Sequence, residues 1–224
     1  MRIGLRVAAQ SVVGLVAFGA LLFLPAGTFD YWQAWVFLAV FSTASLFSAV
    51  YSLKKDPAVL ERRMHAGPAA ETRPVQKVVA AGVYVLWSAL LAFSALDHRF
   101  GWSPVPAAVS LAGDALVATG LGITILVVTQ NSYAAANITV EASQTVVSTG
   151  LYGLVRHPMY MGAMIMIAGI PLALDSWWGL AVLIPCLFGV AVRIRDEERM
   201  LTSELTGYRE YTQKVHHRLV PHVW

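Results

Sequence analysis

The chain has 224 residues, 57% hydrophobic and 13% charged, with a formal net charge of +3. Soluble domains carry about a quarter charged residues, so this composition excludes an ordinary soluble domain. The lone cysteine, Cys186, lies in an apolar run and excludes both an intramolecular disulfide and a thiolate metal site. A bilayer span needs about 20 apolar residues, and several such windows follow one another. The first covers 5–26 and is stopped by Pro25-Ala26-Gly27. Arg2 and Arg6 precede it as in a signal peptide, but its length and the missing small-residue cleavage site predict a retained helix. Tyr31, Trp32 and Trp35 open a second span to about residue 53 as an interfacial aromatic belt.

Residues 54–77 form a polar connector with six Lys/Arg and one short helical stretch over 58–64. It reads as a solvated segment touching headgroups, with no chemistry assigned. The third span covers 78–96, and 97–102 form a short loop with Trp102 as an interface anchor. The fourth span, 105–128, contains Asp114; an acid inside a membrane helix is a functional candidate, here within about three turns of the helix start. Residues 130–149 alternate enough for a short hairpin or extended loop. Two short apolar segments, 159–174 and 177–192, meet at Asp175-Ser176 and read as a helical hairpin kinked at Pro171 and Pro185. An amphipathic helix over 193–211 continues past the membrane surface. Fold class is therefore an all-α integral membrane protein. It has four transmembrane helices plus a C-terminal kinked helical hairpin and an amphipathic cytoplasmic helix.

With the N-terminus in the cytoplasm, the two ends and the 54–77 and 130–158 connectors hold fifteen of the sixteen Lys/Arg. Only Arg99 falls outside, a clear positive-inside bias. This predicts that both termini and both polar clusters discussed next face the cytoplasm.

The first cluster is the run GLYGLVRHPMYMG over 150–162. Pro158 suits a first helical turn, where its missing N–H costs nothing. His157 then caps a helix whose free N–H groups and positive dipole end face a ligand. Gly150, Gly153 and Gly162 are expected to let the backbone approach that ligand. The second cluster is RIRDEER over 193–199. Taken alone it is an exposed helix with ion pairs three and four residues apart.

Together, these two clusters and the Gly-Tyr…Tyr…Pro pattern that follows resemble the isoprenylcysteine carboxyl methyltransferase family and the related phospholipid methyltransferases. The resemblance covers roughly residues 131–224. The spans read as one membrane domain, with an N-terminal hairpin (1–53), the connector (54–77) and the third and fourth spans (78–130), and the resemblance implies that 131–224 is its catalytic methyltransferase core. It also implies S-adenosyl-L-methionine as methyl donor and a prenylated or other lipidic acid as acceptor. The donor needs carboxylates for its cationic groups, donors for its carboxylate and an apolar slot for adenine. Cofactor contacts are expected from Tyr152, Gly153, Leu154, His157, Pro158, Tyr160, Glu197 and Glu198, with Met159 also walling the adenine. Arg195, Glu198 and Arg156 are the expected catalytic residues, Arg195 being preferred over Arg193 to hold the acceptor. Tyr208, Tyr211 and Pro221 are expected to pack the tail rather than touch ligand.

Three other readings remain open, one of them a non-enzymatic membrane scaffold or permease subunit. Membrane sterol ene reductases, which bind a nicotinamide phosphate, share part of the Arg195-Asp196-Glu197 pattern, though Leu201 and Leu205-Thr206-Gly207 depart from it. An amine or phospholipid acceptor would require Glu197 or Glu198 as base. His216, His217 and His222 lack metal-ligand spacing, and there is no phosphate-binding glycine loop. Membrane lipids and a lipidic acceptor are thus the expected partners, and nucleic acid and metal are not.

Overall fold

The computed structural model describes residues 3–55, 60, 67–71, 73–134 and 144–224. Its helices are α1 (Ile3–Ala26), α2 (Trp32–Lys55), α3 (Pro74–Phe100), α4 (Ala107–Gln130), α5 (Pro158–Ala173), α6 (Leu183–Glu204) and α7 (Tyr208–Lys214). Short 3₁₀ turns lie at Pro68–Ala70, Gly150–Gly153 and Trp178–Val182. Among the described residues there is no strand, and five helical segments are long and apolar enough to cross a membrane. The protein is an all-α integral membrane protein, as composition predicts.

The fifth of those segments, Trp178–Glu204, has 27 residues, longer than the hairpin arm expected over 177–192. It gains length because the helix runs on through the charged 193–204 stretch. Its partner arm α5 has 16 residues, about 24 Å at 1.5 Å per residue, short of a hydrocarbon core of about 30 Å. Pro171 falls in the last turn of α5 and Pro185 in the first turn of α6, so the prolines bracket the corner between them. The helix expected to continue to residue 211 instead stops at Glu204. Gly207 adopts φ 87°, a left-handed conformation open to glycine at little cost, and α7 starts in a new direction. The helix expected over 58–64 lies outside the described residues apart from Leu60. So does most of the hairpin or extended loop expected over 130–149, whose described ends, 131–134 and 144–149, are not helical.

α4 and α5 make the tightest packing in the bundle. A Cβ added at Gly113 would lie 2.4 Å from the Ala173 backbone nitrogen, and one at Gly120 would lie 2.4 Å from the Gly162 carbonyl. In the other direction, Cβ atoms at Gly169 and Gly162 would sit 2.5 and 2.9 Å from the carbonyls of Gly113 and Gly120. Each pair is seven residues apart, two turns, so all four glycines share one seam. Gly162 therefore serves helix packing, not the ligand approach expected of it. Gly150 likewise packs on Gln130, whose Oε1 would be 2.6 Å from an added Cβ and accepts a hydrogen bond from the Leu151 N–H.

The apolar core joins Leu22, Phe37, Leu90, Leu91, Val117 and Ile170 from α1 to α5. The bundle end remote from residues 150–160 is closed by a polar corner. Asp97 accepts hydrogen bonds from the Ser103 N–H and from the Ser103 and Ser176 hydroxyls. Asp175 accepts from the Val105 N–H and pairs with His98 Nδ1 at 2.8 Å. Tyr31 is buried, stacks on His98 at 3.8 Å and donates to the Leu174 carbonyl. It is thus a core residue and not part of an interfacial belt, unlike the exposed Trp32, Trp35 and Trp102. Residues 97–100, expected as loop, are the last turn of α3. Asp114 is buried in α4, with neither carboxylate oxygen bonded to another described residue.

Gly113→Ala and Gly120→Ala are each expected to cost about 1–3 kcal/mol by overpacking, seen as a lower unfolding temperature in detergent. Gly122→Ala, with nothing within 4 Å of the added carbon, leaves that temperature unchanged or raises it.

Candidate functional site

The two polar clusters, separated by some 40 residues of chain, meet at one end of the bundle. Pro158 starts α5 and turns Tyr160 toward α6. The Tyr160 hydroxyl donates to Glu197 Oε2 at 2.6 Å and accepts from Arg193 Nε at 2.9 Å. His157 stacks near Tyr160, with ring centroids 5.6 Å apart. Its ring nitrogens face both acids: Nε2 lies 3.4 Å from Glu198 and Nδ1 lies 3.9 Å from Glu197.

Glu198 is surrounded by cations. Arg156 Nε lies 3.1 Å from Oε1, a charge contact without hydrogen-bond alignment, and Arg218 Nε donates to Oε2 at 2.8 Å. Glu197 pairs with no guanidinium among the described residues. Its contacts are the Tyr160 hydroxyl and, more distantly, His157. Of the two acids Glu197, not Glu198, lines the cavity described next.

That cavity has a volume of about 100 Å³. Its polar wall includes Arg156, His157, Tyr160, Glu197 and Tyr208. Its less polar wall includes Val146, Tyr152, Met159, Met200 and Leu201. Burial pushes the Tyr152 phenol up to about 12, partly offset by the hydrogen bond from the Asn131 amide. Burial also raises Tyr208 and Tyr211 above the ordinary phenol value, with added repulsion from Glu198 at Tyr208 and from Tyr152 at Tyr211. All three are neutral hydroxyls at physiological pH. Tyr211 donates to the Tyr152 carbonyl at 2.7 Å. The Tyr208 hydroxyl is buried and has no partner among the described residues.

A second, apolar groove of about 550 Å³ runs between α3 and α6. Val78, Val79, Trp87, Cys186, Phe188 and Gly189 are among its walls. One end is formed by Pro74, Val75 and Val192. Their chain neighbours Gln76 and Arg193 are bonded to each other there: Arg193 Nη1 donates to Gln76 Oε1 at 2.8 Å, and Nη2 donates to Glu71 at 2.9 Å. The Gln76 amide in turn donates to Asp196, which pairs with Arg73 at 2.7 Å. The Tyr160–Arg193 pair thus bridges the residues around the polar cavity and those at the end of the apolar groove.

Of the residues singled out in the sequence, Tyr152, Arg156, His157, Pro158, Tyr160 and Glu197 line the cavity, and Glu198 supports it from behind. Gly153 and Leu154 are exposed and outside its walls, Leu154 by 60%. Arg195 is also exposed, away from the cluster. Two residues along a helix is about 200° of rotation, so turning Arg193 inward turns Arg195 outward. Glu71, Gln76 and Arg218 join the assembly although the sequence pattern does not mark them. Glu71 and Gln76 flank the Pro74 helix start, a signal for position but not for partner. Tyr208 and Tyr211, expected only to pack the tail, both line the cavity.

No curated protein matches the chain. Residues 109–209, from α4 into α7, match the family model described as phospholipid methyltransferase. Through this segment the chain is similar to that family of integral membrane methyltransferases, which is related to the isoprenylcysteine carboxyl methyltransferases.

Proposed function

We propose that the protein transfers a methyl group from S-adenosyl-L-methionine to a lipid-borne carboxylate of the isoprenylcysteine type, at the cytoplasmic leaflet. The observation that carries this reading is the Tyr160–Arg193 pair standing between a charged cavity and an apolar groove. A water-soluble cationic donor and a greasy acceptor need such neighbouring compartments. The positive-inside bias supports the cytoplasmic side.

The donor set fits the cofactor. Glu197 faces the cavity without a guanidinium partner among the described residues and offers its charge to the ammonium or sulfonium. Arg156 supplies positive charge, and His157 a ring N–H, for the carboxylate end. Tyr152 and Met159 wall the adenine. Bound there, the cofactor supplies an electrophilic methyl on sulfur. The groove between α3 and α6 takes the acceptor's hydrocarbon, and Arg193 orients its carboxylate. Arg193 replaces Arg195 in this role because only Arg193 points inward. A free α-carboxylate titrates at about pH 3.5 and is ionised at neutral pH, so no side chain need remove a proton. The site's task is to hold oxygen and methyl in line at about 3–3.5 Å. Tyr160, bonded to both Glu197 and Arg193, fixes the two halves relative to one another.

The family match favours methyl transfer over the hydride-transfer alternative, and its description favours one second reading, a phospholipid amine as acceptor. Glu197 would then receive the amine proton. Labelled-methyl assays with prenylcysteine analogues and with phospholipid vesicles separate the two acceptors.

Calorimetric titration of detergent-purified protein with S-adenosylhomocysteine is expected to give saturable binding. Glu197→Gln weakens it at least tenfold at unchanged unfolding temperature, whereas Arg195→Ala leaves it unchanged. Folded wild-type protein that takes up no ligand would overturn the reading. Val79→Trp, which fills the groove, is expected to raise the acceptor KM severalfold while donor affinity stays constant. Equal acceptor KM values in the two proteins would remove the groove from the proposal.

A further inference from the structure

We infer that Tyr208 is a ligand-binding residue that grips the amino-acid end of the methyl donor by donating its hydroxyl proton to the α-carboxylate. The inference rests on the donor reading above and assigns a subsite within it.

The sequence places Tyr208 directly after Gly207, at the first position of α7, where a packing role is the ordinary expectation. Its ring fulfils that role: Tyr208 is 4% exposed and belongs to a small apolar cluster with Leu205, Tyr211 and Val215. The hydroxyl does not fit a packing role. A buried phenol O–H left unpaired carries a desolvation cost, and buried hydroxyls almost always find a partner. Tyr211, one turn on, does so, donating to the Tyr152 carbonyl. The Tyr208 hydroxyl bonds to none of the described residues, yet its side chain lines the cavity.

The surroundings indicate which part of the donor meets it. The charged groups that act on Tyr208 are Glu198, Glu197 and Arg156, the polar end of the cavity. Tyr152 and Met159 supply the less polar wall for the base. At the polar end Glu197 takes the ammonium, and Arg156 neutralises a carboxylate. A neutral phenol there is a hydrogen-bond donor for that carboxylate, free of the competition that Arg156 meets from Glu198. The hydroxyl also needs no reorganisation, because its ring is fixed by packing.

The test compares two probes on the full-length, detergent-purified protein. S-adenosylhomocysteine carries the amino-acid end, and 5′-methylthioadenosine lacks it. Tyr208→Phe is expected to weaken S-adenosylhomocysteine about tenfold, the effect of losing one hydrogen bond to a charged group. It is expected to leave 5′-methylthioadenosine unchanged and the unfolding temperature the same or higher, since an unpaired buried hydroxyl is removed. Tyr211→Phe should instead lower the unfolding temperature. Unchanged S-adenosylhomocysteine affinity in Tyr208→Phe, or equal weakening of both probes, would overturn the assignment while leaving the donor reading intact. If the wild type binds neither probe, the donor reading itself fails and this assignment falls with it.

Discussion

One buried guanidinium holds the functional end of the bundle together. Arg193 lies in a helix that is apolar up to Val192, and its charge is tolerable there only because its nitrogens are bonded. Tyr160 comes from α5, Gln76 from α3 and Glu71 from the segment before α3. Removing one partner of such a buried charge typically costs about 3–5 kcal/mol, because the remaining charge is left uncompensated. The same bonds that neutralise Arg193 therefore fix three parts of the chain against α6. Burial and positioning are one interaction here, and the cavity and the groove adjoin it.

That arrangement depends in turn on the glycine seam between α4 and α5. α5 has no length to spare, so its N-terminus reaches α6 only if its body lies close against α4. Gly113 with Gly169, and Gly120 with Gly162, permit backbone contact where any side chain would push the helices apart. The seam brings the Pro158 helix start and Tyr160 to the level of Glu197. Small residues at helix seams are the usual means of close association in lipid, where apolar side chains gain little by leaving the membrane for each other.

Much of this is legible in the chain and some is not. The first four spans and most of their boundaries follow from runs of apolar residues, because the bilayer fixes their length, whereas the fifth reads in the sequence only as a short hairpin arm. The meeting of 156–160 with 193–198 is also readable, since both clusters interrupt oily segments on the same side. The choice between Arg193 and Arg195 is not. Both lie in RIRDEER, and only the rotation of α6 against α3 selects one. Gly162 misleads for a related reason: a glycine that admits a ligand and one that admits a neighbouring helix look alike in sequence. Glu71 and Gln76 stay hidden because their partner is over 110 residues away. The break at Gly207 escapes a periodicity reading because an amphipathic pattern continues across it, although glycine there marks a helix stop.

The tail after α7 has its own consequence. The N–H groups of Arg156 and His157, the first residues of the site segment, donate to the carbonyls of His217 and Arg218. Arg218 also reaches Glu198 and lies against Trp224. These residues follow the five candidate spans found among the described residues, so during synthesis they leave the ribosome after those spans. The bundle can insert and pack while residues 156 and 157 still hydrogen-bond to water. Assembly of the polar pocket is thereby uncoupled in time from membrane insertion, and in a nascent chain lodged in the bilayer the pocket stays incomplete until the 217–218 backbone docks.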